Sequence, residues 1–156
     1  MPFRFKLETL LTYRRNLEEQ AQLKLARELN IRQSHLNRLN DLIAIRRKTI
    51  DDLEVRKQDK MTSVLFSYYI DYIRHKDREI EVQLNTIAAQ ENVIVLVRSE
   101  LMEKVKARKI IERLREKKLQ SYLQEELTKE LKEHDDQAVM LYAGNNGLLR
   151  ERQRPR

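Results

Sequence analysis

Apolar residues recur along the first third of the chain at steps of three, four and seven: Leu10, Leu17, Ala21, Leu25, Leu29, Leu36, Leu39, Ile43, Ile50 and Leu53. That spacing keeps them on one face of a helix and predicts one over about residues 5–57. Between them lie charged residues such as Arg14, Arg15, Glu18, Glu19, Lys24, Arg27 and Glu28. Glu28 and Arg32, like Asp52 and Arg56, form i, i+4 pairs in the favourable orientation. From Leu17 to Leu29 the steps are all fours. A run of fours exceeds the 3.5-residue period and predicts a locally unwound supercoil.

The seam lapses over Gln58-Asp59-Lys60-Met61-Thr62-Ser63, where Asp59, Thr62 and Ser63 are candidate caps for a new helix. A second periodic stretch follows: Tyr69, Ile73, Ile80, Leu84, Ile87, Ile94, Leu101, Val105, Ile111, Leu119, Tyr122, Leu127 and Leu131. It predicts a helix over about residues 63–138. A single unbroken helix is the rival. It would reach roughly 200 Å and bury its seam only by oligomerising. The seam break and cap residues favour an all-α fold, an antiparallel two-helix coiled-coil hairpin with a longer second helix. Residues 1–143 then form one domain, with the turn at about 58–62 and paired residues whose numbers sum to about 120. The unpaired end, about Glu116 to Ala138, still carries Leu119, Tyr122, Leu123, Leu127 and Leu131. An exposed apolar stripe of that kind predicts a partner site. Gly144-Asn145-Asn146-Gly147 reads as a helix stop, and residues 144–156 as a flexible basic tail.

Composition supports this reading. Only two Gly and two Pro occur in 156 residues, and none of them lies between Phe3 and Ala143. Good helix formers dominate that interval. There is no Cys, hence no disulfide framework or thiol nucleophile. The longest apolar runs, Val93–Val97 and Ala138–Ala143, fall far short of the ~20 residues a membrane span needs. The N-terminal residues are interrupted by charge and lack a signal-peptide core. The expected location is cytoplasmic, with any membrane contact peripheral.

Catalytic chemistry finds little support. His35, His75 and His134 have no second His or Cys at ligand spacing, and His134-Asp135-Asp136 reads as a solvated stretch. No Gly precedes Gly144, so no phosphate-cradling loop exists before it. Glu18-Glu19 and Glu125-Glu126 are sequence neighbours that diverge by about 100° on a helix. No enzyme activity, cofactor or metal is expected.

The net charge of +7 calls for an acidic partner or simply a solvated surface. Lys104 to Lys118 holds eight basic residues against Glu112 and Glu116. Such a stripe can follow phosphates, yet it has no zipper-linked basic region and no stacking platform. Nucleic acid is therefore not the expected partner; an acidic protein surface explains the same charges. The cluster Phe66, Tyr68, Tyr69 and Tyr72 spreads wider than a two-helix seam. At least one Tyr should stand outside it, either as packing near the turn or as a contact patch.

The N-terminus Phe3-Arg4-Phe5-Lys6-Leu7-Glu8-Thr9-Leu10-Leu11-Thr12-Tyr13-Arg14-Arg15 resembles that of the flagellar export protein FliJ family. So do Glu18-Glu19-Gln20-Ala21 and Leu25-Ala26, and the later Tyr69-Ile70-Asp71-Tyr72-Ile73 with Ile80. The likeness covers essentially the whole chain and extends to injectisome stalk proteins. It implies a component of the flagellar type III export apparatus, and so a part in flagellum biogenesis and chemotaxis. Family members are antiparallel coiled coils similar to the γ stalk of rotary ATPases. The implied partners are the hexameric export ATPase, the membrane export gate and export chaperones. By position, Leu10, Arg14, Arg15 and Leu17 are implied ATPase contacts. Tyr69, Tyr72 and Ile73 are implied gate contacts. Lys76 and Glu79 are polar where the resemblance implies smaller or apolar residues.

Overall fold

The computed structural model describes residues 2–151, with side chains through residue 145. It contains two helices, α1 (Glu8–Arg56) and α2 (Ser63–Glu151), and they pack as an antiparallel hairpin. The turn between them excludes a single unbroken helix. α1 ends in tightened turns: the Gln58 N–H donates to Val55 O at 3.3 Å and the Asp59 N–H to Arg56 O at 3.2 Å. Of the three candidate caps, Thr62 opens α2. Its hydroxyl accepts the Leu65 N–H at 3.3 Å and its carbonyl accepts the Phe66 N–H at 3.1 Å. The turn needs no glycine, because no residue described adopts a positive φ.

α2 runs on to Glu151, past the expected end at 138 and through Gly144 and Gly147. A helical glycine costs about 1 kcal/mol relative to alanine, which weakens a helix without ending it. A C-terminal stop needs a left-handed residue, and neither glycine has positive φ. The end of the basic tail, residues 152–156, lies outside the described residues.

The chain forms two compact units, Tyr13–Ala107 and Met1–Thr12 with Arg108–Arg156. In the first, one series of half-buried and buried positions on each helix alternates strictly in steps of three and four. On α1 they are Arg14, Glu18, Ala21, Leu25, Glu28, Arg32, His35, Leu39, Leu42, Arg46, Thr49 and Leu53. On α2 they run Tyr69, Ile73, Lys76, Ile80, Gln83, Ile87, Gln90, Ile94, Val97, Leu101 and Lys104. This is a heptad seam. Leu17 and Leu29 flank it, so the apolar run of fours straddles the heptad and does not interrupt it.

Two expected seam positions are corrected. Ile43 is 46% exposed, and its neighbour Leu42 is buried instead. Leu84 is 51% exposed, while Gln83 is buried. An apolar residue one step outside the alternation turns about 100° away from the partner helix. Alternation therefore overrides the residue's own hydrophobicity.

The second unit is closed by residues ahead of α1. The Phe3 ring sits 5.6 Å from that of Tyr122, tilted by 48°. Arg115 Nε pairs with Glu8 Oε2 at 3.1 Å, and Leu11 is fully buried. Residues 2–5 are not helical. An extended chain advances about 3.3 Å per residue against 1.5 Å in a helix, so a few residues cover two turns of α2. The unpaired part of α2 consequently begins beyond Tyr122, later than the expected Glu116.

Candidate protein-binding surfaces

Near the turn, the aromatic cluster divides as its angular spread requires. Tyr69 is half-buried in the seam, while Tyr68 and Tyr72 stand outside it, exposed. The Tyr69 hydroxyl donates to Asp52 Oδ2 at 2.7 Å, across the hairpin. That bond, helped by partial burial, raises the Tyr69 pKa above its ordinary value. The Arg56 guanidinium lies 5.8 Å from the same ring, and Lys57 Nζ 5.6 Å from the Phe66 ring. Tyr68, Tyr69, Tyr72 and Leu65 face Val55 and Asp52 across a groove of about 800 Å³. Val55, Val64 and Phe66 add exposed apolar surface nearby.

Ile73 is half-buried in the seam one turn on, so it offers an edge and not a face. Lys76 occupies the next seam position. Its stem is largely covered, and its Nζ meets Glu79 Oε2 at 2.6 Å and lies 5.2 Å from the Tyr72 ring. The bond to Glu79 raises the Lys76 pKa and lowers that of Glu79. The two polar residues thus satisfy each other and leave Tyr72 with a cation over its ring.

Among the other site residues, Arg14 and Leu17 are half-buried in the Tyr13–Ala107 unit and Arg15 is exposed there. The Arg14 Nε is shut off from solvent without a hydrogen-bond partner. Leu10 is half-buried in the other unit, beside the fully buried Leu11. That unit has a groove of about 590 Å³ whose lining includes Phe3, Phe5, Leu7, Leu114 and Tyr122, rimmed by Arg4, Lys6 and Lys118. Neither this groove nor the part played by Leu65 and Val55 near the turn was legible as a site. The signal that hinted at the first was Phe3 and Phe5 flanking Arg4 ahead of a helix start.

Beyond Tyr122, Leu123, Leu127 and Leu131 are all more than half exposed, as are Val139, Met140, Leu141 and Tyr142. Among the described residues no group of three or more His, Cys, Asp or Glu is placed to hold a metal ion. No described helix is long and apolar enough to cross a membrane. What the two helices offer is open grooves, aromatic and aliphatic patches and charged rims, the equipment for docking onto other proteins.

These features define a protein-binding helical hairpin. The chain matches the model of the flagellar FliJ protein over residues 3–147 and belongs to that family. It is therefore a component of the flagellar protein export apparatus, in a family that is not enzymatic. No curated protein and no solved structure gives a significant match.

Proposed function

We propose that the protein is a stalk-like adaptor of the flagellar type III export apparatus, cytoplasmic and peripheral at the membrane. It binds the hexameric export ATPase through Leu10, Arg14, Arg15 and Leu17. It binds the membrane export gate through Tyr69, Tyr72 and Ile73, and it meets export chaperones in passing. The observation that carries this reading is the family match across nearly the whole chain. The exposed aromatic groove near the turn supports the gate contact, since Tyr is enriched in binding hot spots. A net charge of +7 supports an acidic surface on the ATPase as the counterpart.

The test is addition of the purified, folded chain to its cognate export ATPase. Faster hydrolysis or promoted ring assembly is expected, and Arg14→Glu with Arg15→Glu should abolish it. No effect on the enzyme would sink the adaptor reading. Recovery of export chaperones without the ATPase would assign the chain to substrate escort instead.

A further inference from the structure

From Leu119 onward α2 holds a pattern that neither the observed seam nor the proposed contacts use. Leu119, Leu123, Leu127 and Leu131 form one stripe, 38%, 56%, 59% and 57% exposed. It lies on a different face from Leu114, Lys118 and Tyr122, where the N-terminal residues pack. The charges bordering it are segregated. Arg113 to Lys118 carries four basic residues and one acid, while Lys132 to Gln137 carries three acids and one Lys.

We propose that this stripe is a homodimer interface, in which α2 of one chain packs antiparallel against α2 of a second copy, centred near Glu125. The arrangement sets Leu119 opposite Leu131 and Leu123 opposite Leu127, which closes the apolar stripe on itself. On one flank Lys117 meets Asp135. Within the stripe Glu116 meets His134 and Gln120 meets Glu130. Lys117 thus finds an acid, and the acids within the stripe find neutral polar partners, the His134 imidazole and the Gln120 amide. A parallel pair would instead set Glu116 on Glu116 and Glu130 on Glu130. Like charges directly opposed destabilise and select against that arrangement. A two-fold antiparallel contact is also self-limiting, because each copy presents the same patch once.

The paired stretch, 116 to 134, rises about 28 Å. A single helix-on-helix contact of that length falls at the low end of specific interfaces, below ~1,200 Å². Association should therefore be reversible, with a dissociation constant in roughly the micromolar range.

The test uses the full chain, whose lack of Cys makes any introduced thiol unique. Sedimentation equilibrium from roughly 5 to 300 µM should show a monomer–dimer equilibrium. Leu123→Glu with Leu127→Glu should weaken it by about tenfold or more, with helicity by circular dichroism unchanged. Leu119→Cys mixed with Leu131→Cys should cross-link under mild oxidation, and neither variant alone should. A monomer throughout that range overturns the proposal. So does efficient cross-linking of either single variant with itself, which would mean a parallel pair. A dimer indifferent to the double Glu substitution overturns it too. So does a monomer whose double variant loses only ATPase binding, since the stripe would then belong to that enzyme.

Discussion

The Gln83 side-chain amide donates to the backbone carbonyl of His35 at 2.9 Å, joining two residues 48 positions apart in the buried seam. One heptad later Gln90 repeats the arrangement, donating to Glu28 O at 3.0 Å and to Glu28 Oε2 at 2.7 Å. A sliding helix would leave both amides without their acceptors, so the pair fixes the register. Gln83→Ala should destabilise the hairpin by about 1–2 kcal/mol through lost packing and a lost bond. Gln83→Leu with Gln90→Leu should recover the stability and lose the single register. Urea denaturation reads the first effect, and amide NMR line broadening reads the second.

The buried residues give a sharper contrast. Ile94 is fully buried, and Leu84, ten residues away, is half exposed. Ile94→Ala should cost about 2–4 kcal/mol, and Leu84→Ala under about 1 kcal/mol. Thermal melts followed at 222 nm would separate them. Equal effects would mean that the alternation of three and four had been misplaced.

Tyr69 should titrate above the usual phenolic range because its hydrogen bond to Asp52 holds the proton. A raised folded-state pKa contributes stability that is complete below ~10 and lost as pH climbs through the folded value. Absorbance at 295 nm should therefore show one late-ionising tyrosine, absent in Tyr69→Phe. Asp52→Asn should bring that late step earlier.

Lys76 and Glu79 define a second pH window. Glu79 is lowered and Lys76 raised, in each case first by their mutual hydrogen bond. The depressed carboxylate adds stability above ~4.3 and loses it as pH falls through its folded pKa. The raised ammonium adds stability below ~10.4 and loses it as pH rises through its own. Wild-type protein should thus gain on Lys76→Met in mid-range pH and converge with it at both extremes. Melting temperatures from pH 3 to 11 would show whether the difference has that shape.

Tyr68 and Tyr72 are exposed, so replacing them should leave the fold nearly untouched. Tyr68→Ala with Tyr72→Ala should shift stability by no more than about 0.5 kcal/mol, and on the proposed gate contact should weaken that binding by about tenfold or more. Pull-down against the gate's cytoplasmic domain checks the second effect. Retained binding would move the gate contact away from the groove near the turn.

Periodicity made the two helices, the turn and the start of α2 legible, because those features depend on spacing and on cap chemistry near Thr62. It failed where polar residues occupy seam positions. Arg14, Glu28, His35, Gln83 and Gln90 do not read as interior by composition, so the apolar Leu84 reads as seam in place of Gln83; Ile43 competes with Leu42, an equally apolar neighbour, and only the alternation separates them. The end of α2 was misread because Gly144 suggests a stop, yet it meets nothing that would require one. The aromatic cluster was legible from its angular spread alone. The groove beneath Phe3 and Phe5 was not, since it depends on a non-helical segment reaching back along α2.

The heptad seam buries few side chains outright. Between Leu11 and Leu42 no residue of α1 is fully covered, and Leu25, Leu29, Leu36 and Leu39 are all only partly buried. Each therefore realises only part of its transfer free energy in the free chain, at about 25 cal/mol per Å² of apolar surface still wet. Any protein laid along these leucines releases the remainder, and linkage turns that release into added stability for the hairpin. The melting temperature of the purified chain should accordingly rise when a partner is added.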